Sequence, residues 1–242
     1  MSFGTKLAGL RAVLREHSPA EALAMLSHRL SDEIQERRLG IRTRGFFSGT
    51  QLGHATSEFG AYLAAPYAAL WWGLDQIPLT NGGDAFLDIG SGMGRVIVVA
   101  GTRPFRRVIG VEISPNLAER ARENIAVARK RLRSPVDILV ADACEYQVPD
   151  DITVVHLFNP FGGSILTRVI QNIQASLKRR PRRLSIIYGN PKEFERMRLG
   201  EGWARRGASR EFYPGIEYAI YNCAATSWLC GDGILLRPPT GI

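Results

Sequence analysis

Residues 86–101 read FLDIGSGMGRVIVVAG. An apolar run carries one acid, Asp88, breaks into three alternate glycines at 90, 92 and 94, and then turns apolar again. The first run predicts a short buried strand, and the second predicts a helix that starts near Arg95. Strand, glycine turn and helix in that order form the first βα turn of a doubly wound sheet. Such sheets bind ligands beyond the carboxyl ends of their strands, at the switch point. The glycines therefore mean one of two things. Either a tight turn needs them for its own backbone, or the polar part of a ligand lies against bare backbone there. Asp88 narrows the second choice. An acid two positions before Gly90 suits a cationic or hydrogen-bond-donating ligand and repels a pyrophosphate. A dinucleotide turn expects G-x-G-x-x-G with the pyrophosphate on a helix N-terminus; this chain has G-x-G-x-G.

Working outward, the pattern alternates. Strands are predicted at 85–89, 107–111, 136–141, 152–158 and 184–188, and helices at 95–101, 116–131 and 164–177. Short strands separated by helices predict βαβ units and a parallel sheet covered on both faces. The ending differs. Segments 203–212 and 217–224 flank Tyr213-Pro214-Gly215, a good turn, and predict an antiparallel pair at the sheet edge. The fold class expected is α/β: a doubly wound, seven-stranded, mostly parallel Rossmann-like sheet with an antiparallel C-terminal hairpin and an N-terminal helical cap. Before the sheet, residues 5–39 have helical spacing, with Ser18-Pro19-Ala20-Glu21 as a helix start and Leu23, Leu26, Leu30 and Ile34 recurring behind it. Residues 41–56 read as strand or loop. Residues 57–77 are aromatic and read as helix, with Pro66 inside it or at a break. The divisions expected are an N-terminal helical or lid segment at 1–80, a catalytic domain at 81–226 and a tail at 227–242.

Bulk properties set bounds. The chain has 242 residues, a net charge of +8 and 45% apolar content, enough for a sizeable core. No run is long and apolar enough for a membrane span, and the N-terminus is interrupted by charge, so a cytoplasmic protein is expected. Cys144, Cys223 and Cys230 lack CxxC spacing and read as free thiols. The excess positive charge concentrates at 129–131, at 178–183 and at Arg205, Arg206 and Arg210. Such runs are usually solvated, and no aromatic residues interleave the first two; a nucleic-acid partner is possible but not favoured. The four histidines are scattered without ligand spacing, so no metal is expected.

Two further acids join Asp88. Glu112, in VIGVEIS, closes the next strand 22 residues after Gly90, where an acid can accept from both hydroxyls of a ribose. Asp142, in LVADACEY, ends the following strand and suits an adenine amino group, or an Asx turn. A ligand with a ribose, an adenine, positive charge and no phosphate describes S-adenosylmethionine. With these residues in place, the chain resembles the class I S-adenosylmethionine-dependent methyltransferases over residues 83–224. FLDIGSGMGRV looks like their first motif, VIGVEIS their ribose motif and ADA their adenine motif. The resemblance implies that Asp88, Gly90, Ser91, Gly92 and Gly94 line the methionine and ribose part. Glu112 would hold the ribose with Ile113 against the adenine, and Asp142 with Ala143 would take the adenine edge. It also places Asn159, in HLFNPFGG, where the methyl donor faces its acceptor. Asn159-Pro160-Phe161 is similar to the Asn-Pro-Pro-Tyr motif of amino methyltransferases, one proline short. The closest likeness is to a bacterial group without an assigned substrate, through residues 37–43, the aromatic segment, the NPF turn and PRRLSIIYGNP. Catalytic roles fall to Asn159 and Tyr62, and a general base, where the acceptor needs one, to His54, Glu58, Tyr62 or His156. His156 lies mid-strand and reads as a core histidine. The function expected is methyl transfer to nitrogen or oxygen of a protein amine or small molecule. A nicotinamide-dependent oxidoreductase and a non-catalytic basic binding module are the alternatives.

Overall fold

The computed structural model describes residues 18–47, 62–158, 162–196, 202–213 and 216–223. Helix α1 (Pro19–Leu39) starts directly after Ser18, with its proline at the first helical position. A two-residue strand pair follows, β1 (Phe46–Phe47) antiparallel to β2 (Tyr62–Leu63). Helix α2 (Tyr67–Asp75) begins only after Pro66. The aromatic segment is thus shorter as a helix than its pattern predicts. Pro66 has no N–H and disfavours a helical residue before it, so the helix starts beyond it and Tyr62 is left extended.

Then the alternation appears as expected: β3 (Ala85–Ile89), α3 (Arg95–Gly101), β4 (Arg107–Glu112), α4 (Pro115–Ala128), β5 (Val136–Val140), β6 (Val154–Phe158), α5 (Gly163–Arg179) and β7 (Leu184–Gly189). After the short α6 (Lys192–Arg196) come β8 (Trp203–Arg205), β9 (Arg210–Tyr213) and β10 (Ile216–Cys223). The sheet order is β5-β4-β3-β6-β7-β10-β8, with β9 also on β10. Strands β3 to β7 pair in parallel, and β10 runs antiparallel to β7. The seventh position is split. Gly207, at φ +69, interrupts the expected strand, so β8 and β9 pair with opposite ends of β10. The order reverses beside β3, where the chain steps out to β4 and β5 and returns to β6. That reversal puts the switch-point crevice between β3 and β6.

Both faces of the sheet are covered. Phe86, Val154, Ile187 and Ile220 pack with Val96, Ile97 and Ala121 on one face. Leu87, Ile89, Val155 and Leu157 pack under α5 and α6 with Leu166, Ile170 and Phe194 on the other. At the amino ends of the strands, much of the basic run is structural. Arg183 bonds Asp84 and the Pro78 carbonyl, Arg182 bonds the Ile152 and Ser176 carbonyls, and Arg179 pairs with Asp150. No helix among the described residues is long and apolar enough to cross a membrane.

The leucine stripe of α1 does not seat that helix on the sheet: Leu23 is 69% and Leu30 61% exposed. Its acids attach it instead. Arg95, the first residue after the glycines, is 2% exposed. Its guanidinium donates to Asp32 at 2.7 Å, Glu36 at 3.1 Å, Thr43 Oγ1 at 2.7 Å and the Ala65 carbonyl at 2.9 Å. It also lies 4.4 Å over the Tyr67 ring. Burial pushes the Glu36 carboxyl up, but the Thr43 hydroxyl and N–H, Arg44 and Arg95 more than offset this and hold it below its ordinary value. The stability Glu36 contributes is therefore present above its unfolded pKa and lost as pH falls through the folded one. Replacing Arg95 by Met leaves Asp32 without its cation and takes one of two cations from the buried Glu36. Urea unfolding of Arg95→Met should show a loss of about 3–5 kcal/mol; a loss under ~1 kcal/mol contradicts the assignment.

Candidate functional site

The glycine turn shows why its three glycines alternate. Gly90, Gly92 and Gly94 have φ of +79, +53 and +82, the left-handed region, whereas Ser91 and Met93 between them do not. Their backbone closes against the end of β4. The N–H groups of Gly90 and Ser91 both donate to the Val111 carbonyl, at 2.9 and 3.0 Å. Gly92 N–H donates to Glu112 Oε2 at 2.7 Å, and Ser114 N–H to Glu112 Oε1 at 2.9 Å. Two motifs about 20 residues apart in sequence are thus one hydrogen-bonded unit. A Cβ on Gly94 would lie 2.9 Å from Ala121 Cβ, so this glycine also lets α3 pack closely on α4.

Glu112 is buried, and its burial raises the carboxyl above its ordinary range despite the N–H bonds from Ser114 and Gly92. Asp88 lies deeper, 2% exposed on β3. Its Oδ1 meets His156 Nδ1 of β6 at 2.8 Å, while Oδ2 has no partner. Ser91 Oγ is likewise buried without a partner. Ile113 is half-buried behind Glu112. Asp142 is exposed at the end of β5, and its Oδ1 accepts from Cys144 N–H at 2.8 Å, an Asx turn. Asn172 of α5 holds that loop through the carbonyls of Ala143 and Cys144.

Tyr62 lies directly on the turn. A Cβ on Gly92 would fall 2.2 Å from the Tyr62 ring, and the phenol donates to the Thr43 carbonyl at 2.6 Å. Burial raises the phenol well above its ordinary value, so it is a protonated donor at neutral pH. His54, Glu58, Asn159 and Phe161 lie outside the described residues.

The structure brings Asp88, Gly90, Ser91, Gly92, Gly94 and Glu112 together around one turn, with Asp142 two strands away at the same end of the sheet. Sequence reasoning missed Arg95 and Thr43, which clamp the N-terminal cover to this turn. The signal was present: Arg95 is a long cation opening an otherwise apolar helix, RVIVVAG.

Known proteins share this fold. Residues 86–180 match the family described as "Methyltransferase domain". A precorrin-6y C5,15-methyltransferase from Geobacter metallireducens is 19% identical, with a TM-score of 0.52 over 67% of this chain and 90% of that one. Geranyl diphosphate C-methyltransferase from Streptomyces coelicolor, solved with S-adenosyl-L-homocysteine, is 15% identical, with a TM-score of 0.51 over 66% of this chain and 78% of that one. An RNA methyltransferase from Salinibacter ruber, also solved with S-adenosyl-L-homocysteine, is 22% identical, with a TM-score of 0.49 over 67% of this chain and 94% of that one. No functionally curated protein matches the chain. Residues 86–180 thus match a methyltransferase domain, in a sheet of Rossmann-like order; the methyl donor that fits such a domain is S-adenosylmethionine. The residues fit that cofactor: bare backbone at three positions, unpartnered Asp88 Oδ2 and Ser91 Oγ beside it, and carboxylates where a pyrophosphate would be repelled.

Gly92→Ala tests the turn. A left-handed alanine whose Cβ meets the Tyr62 ring should cost about 1–3 kcal/mol in thermal or urea unfolding. Pairing it with Tyr62→Ala should recover the steric part and leave the backbone part.

Proposed function

We propose that the protein transfers a methyl group from S-adenosylmethionine to a nitrogen or oxygen of an acceptor, a protein amine or a small molecule. The observation that carries this reading is the direct bond between the glycine turn and Glu112, with Asp88 and Asp142 at the ends of the flanking strands. In this reading Glu112 accepts from the ribose hydroxyls, its Gly92 and Ser114 bonds fixing the carboxylate beforehand. Ile113 packs on the adenine, and Asp142 with Ala143 meets its amino edge. The glycine turn and Ser91 line the methionine part. Asn159, following β6, and Tyr62, on the cover, stand on the acceptor side, and residues 1–80 act as the lid of a catalytic unit at 81–226. When bound, S-adenosylmethionine supplies a methyl group on a sulfonium that is already a good leaving group. The protein's work is then alignment of donor and acceptor in a pocket that excludes water.

Calorimetry against S-adenosylmethionine and against NAD tests the cofactor. Binding of the first and not the second is expected; the reverse overturns the reading. Glu112→Gln should weaken S-adenosylmethionine by about 10- to 100-fold, the worth of hydrogen bonds to a charged acceptor. Because burial raises the Glu112 carboxyl, the parent's affinity should begin to fall above the ordinary carboxylate range as pH is lowered. Glu112→Gln, with nothing to protonate, should show no such fall. Transfer of a labelled methyl group into lysate fractions of protein, RNA and small molecules then identifies the acceptor class. No transfer into any fraction would leave a binding module instead.

A further inference from the structure

Beneath the glycine turn, the two strands at the switch point carry a buried polar pair whose His156 member the cofactor reading does not use. Asp88 of β3 and His156 of β6 are direct register partners across the point where the strand order reverses. Both are buried, at 2% and 1% exposure, and joined at 2.8 Å. In the tautomer in which His156 Nδ1 donates to Asp88 Oδ1, Nε2 carries the ring's lone pair. Nε2 is buried and has no partner.

A third group completes the cluster. Tyr218 of β10 is fully buried, its ring 6.2 Å from that of His156, and its hydroxyl also has no partner. Its neighbour in the same row is Phe158, stacked on it at 5.7 Å. The two rings meet because Gly189 stands between them in register, where a Cβ would fall 2.5 Å from Phe158 and 2.6 Å from Tyr218. Besides Asp88 Oδ2, already placed on the cofactor side, two orphan polar atoms remain on these neighbouring rings: His156 Nε2 and Tyr218 Oη. Buried polar groups are almost always paired, and unpaired ones lower stability. Here they sit beside Phe158, the last residue of β6 and next in sequence to Asn159.

We infer that His156, oriented by Asp88 and flanked by Tyr218, is the proton acceptor of the methyl-acceptor subsite, and that the acceptor is a group carrying an O–H or an ammonium N–H. This rests on the methyl-transfer reading above. In the step, the bond from methyl carbon to sulfur breaks as the bond from methyl carbon to acceptor oxygen or nitrogen forms. From an O–H the proton passes to His156 Nε2 as the C–O bond forms; from an ammonium, whose nitrogen has no lone pair, it passes to Nε2 first and the freed amine then attacks. S-adenosylhomocysteine departs neutral at sulfur, and the proton is released to solvent with the products. Asp88 stabilises the imidazolium formed, and Tyr218 Oη donates to an oxygen acceptor, whose second lone pair is free to take the bond. Burial holds the Tyr218 phenol well above its ordinary value, so it stays a donor. The titratable groups around the ring are Asp88 on β3 and Tyr218 on β10; β7 contributes Ile187, and Arg95 with Asp32 and Tyr67 are the next groups on the covering side.

The experiment uses the full chain and the lysate fraction that the parent methylates. His156→Gln and Tyr218→Phe should bind S-adenosylmethionine within threefold of the parent by calorimetry. Transfer by His156→Gln should fall by about 100-fold or more, and the acid limb of the pH–rate profile should disappear. Tyr218→Phe removes an orphan hydroxyl without changing shape, so it should lose transfer several-fold while its Tm rises by about 2–4 °C. A purely structural tyrosine would not gain stability. Unchanged rate and pH profile in both variants, or a Tm that falls in Tyr218→Phe, overturns the inference while leaving methyl transfer standing. Absence of cofactor binding by the parent overturns the underlying reading instead. Should His156→Gln fail to fold, the opposed movements of rate and Tm in Tyr218→Phe decide the matter.

Discussion

One buried cation organises the N-terminal half of the site. Arg95 leaves the glycine turn and finds two acids, a hydroxyl, a backbone carbonyl and an aromatic face, all from residues 32–67. Net stabilisation by such an ion network is modest, because removing its charges from water costs nearly what their attraction returns. What it does fix is position. A hydrophobic seat tolerates sliding, whereas a guanidinium with four partners does not. The exposed leucines of α1 make the same point: that helix is located by Asp32 and Glu36. Thr43 then carries the constraint on, accepting from Arg95 at its hydroxyl and from Tyr62 at its carbonyl, so that the Tyr62 ring rests on Gly92.

The core of the sheet was legible because its signals are local. Strand and helix periods, the alternate glycines and an acid closing each strand can be read in windows of a few residues, and those elements agree within a residue or two, apart from the helix ending at Ala128. The cover was not legible for the opposite reason. Arg95 meets Thr43, Glu36 and Asp32 across 52 to 63 residues of chain, and no window contains such a pair. Where local signals competed, the stiffer one won. Pro66 overrode the aromatic helical pattern, and Gly207 overrode the continuity of the edge strand.

The glycine triplet shows how one motif serves several ends. Each glycine is needed for its left-handed backbone, Gly94 also for close helix packing, and Gly92 because a ring lies on it. A turn that merely required glycine would explain the first fact alone. The N–H of Gly92 spent on Glu112 explains why the second acid must follow at the end of the neighbouring strand: it orients the carboxylate before any ligand arrives. Preorganisation of this kind lowers the cost of ordering on binding.

Asp88 and His156 are each the lone strongly polar residue in an apolar strand, AFLDI and VVHLF, Asp88 one residue from its carboxyl end and His156 at its middle. Read singly, either passes for a tolerated core residue. Parallel register makes them partners, and the absence of a bond at Asp88 Oδ2 and His156 Nε2 separates them from a satisfied core pair. A structural role would favour apolar replacements at both positions, since each unsatisfied buried group costs about 1–3 kcal/mol. Stability forgone at the point where the sheet order reverses, next to a stacked Phe158 and Tyr218, is the pattern expected where chemistry and not packing sets the choice of residue.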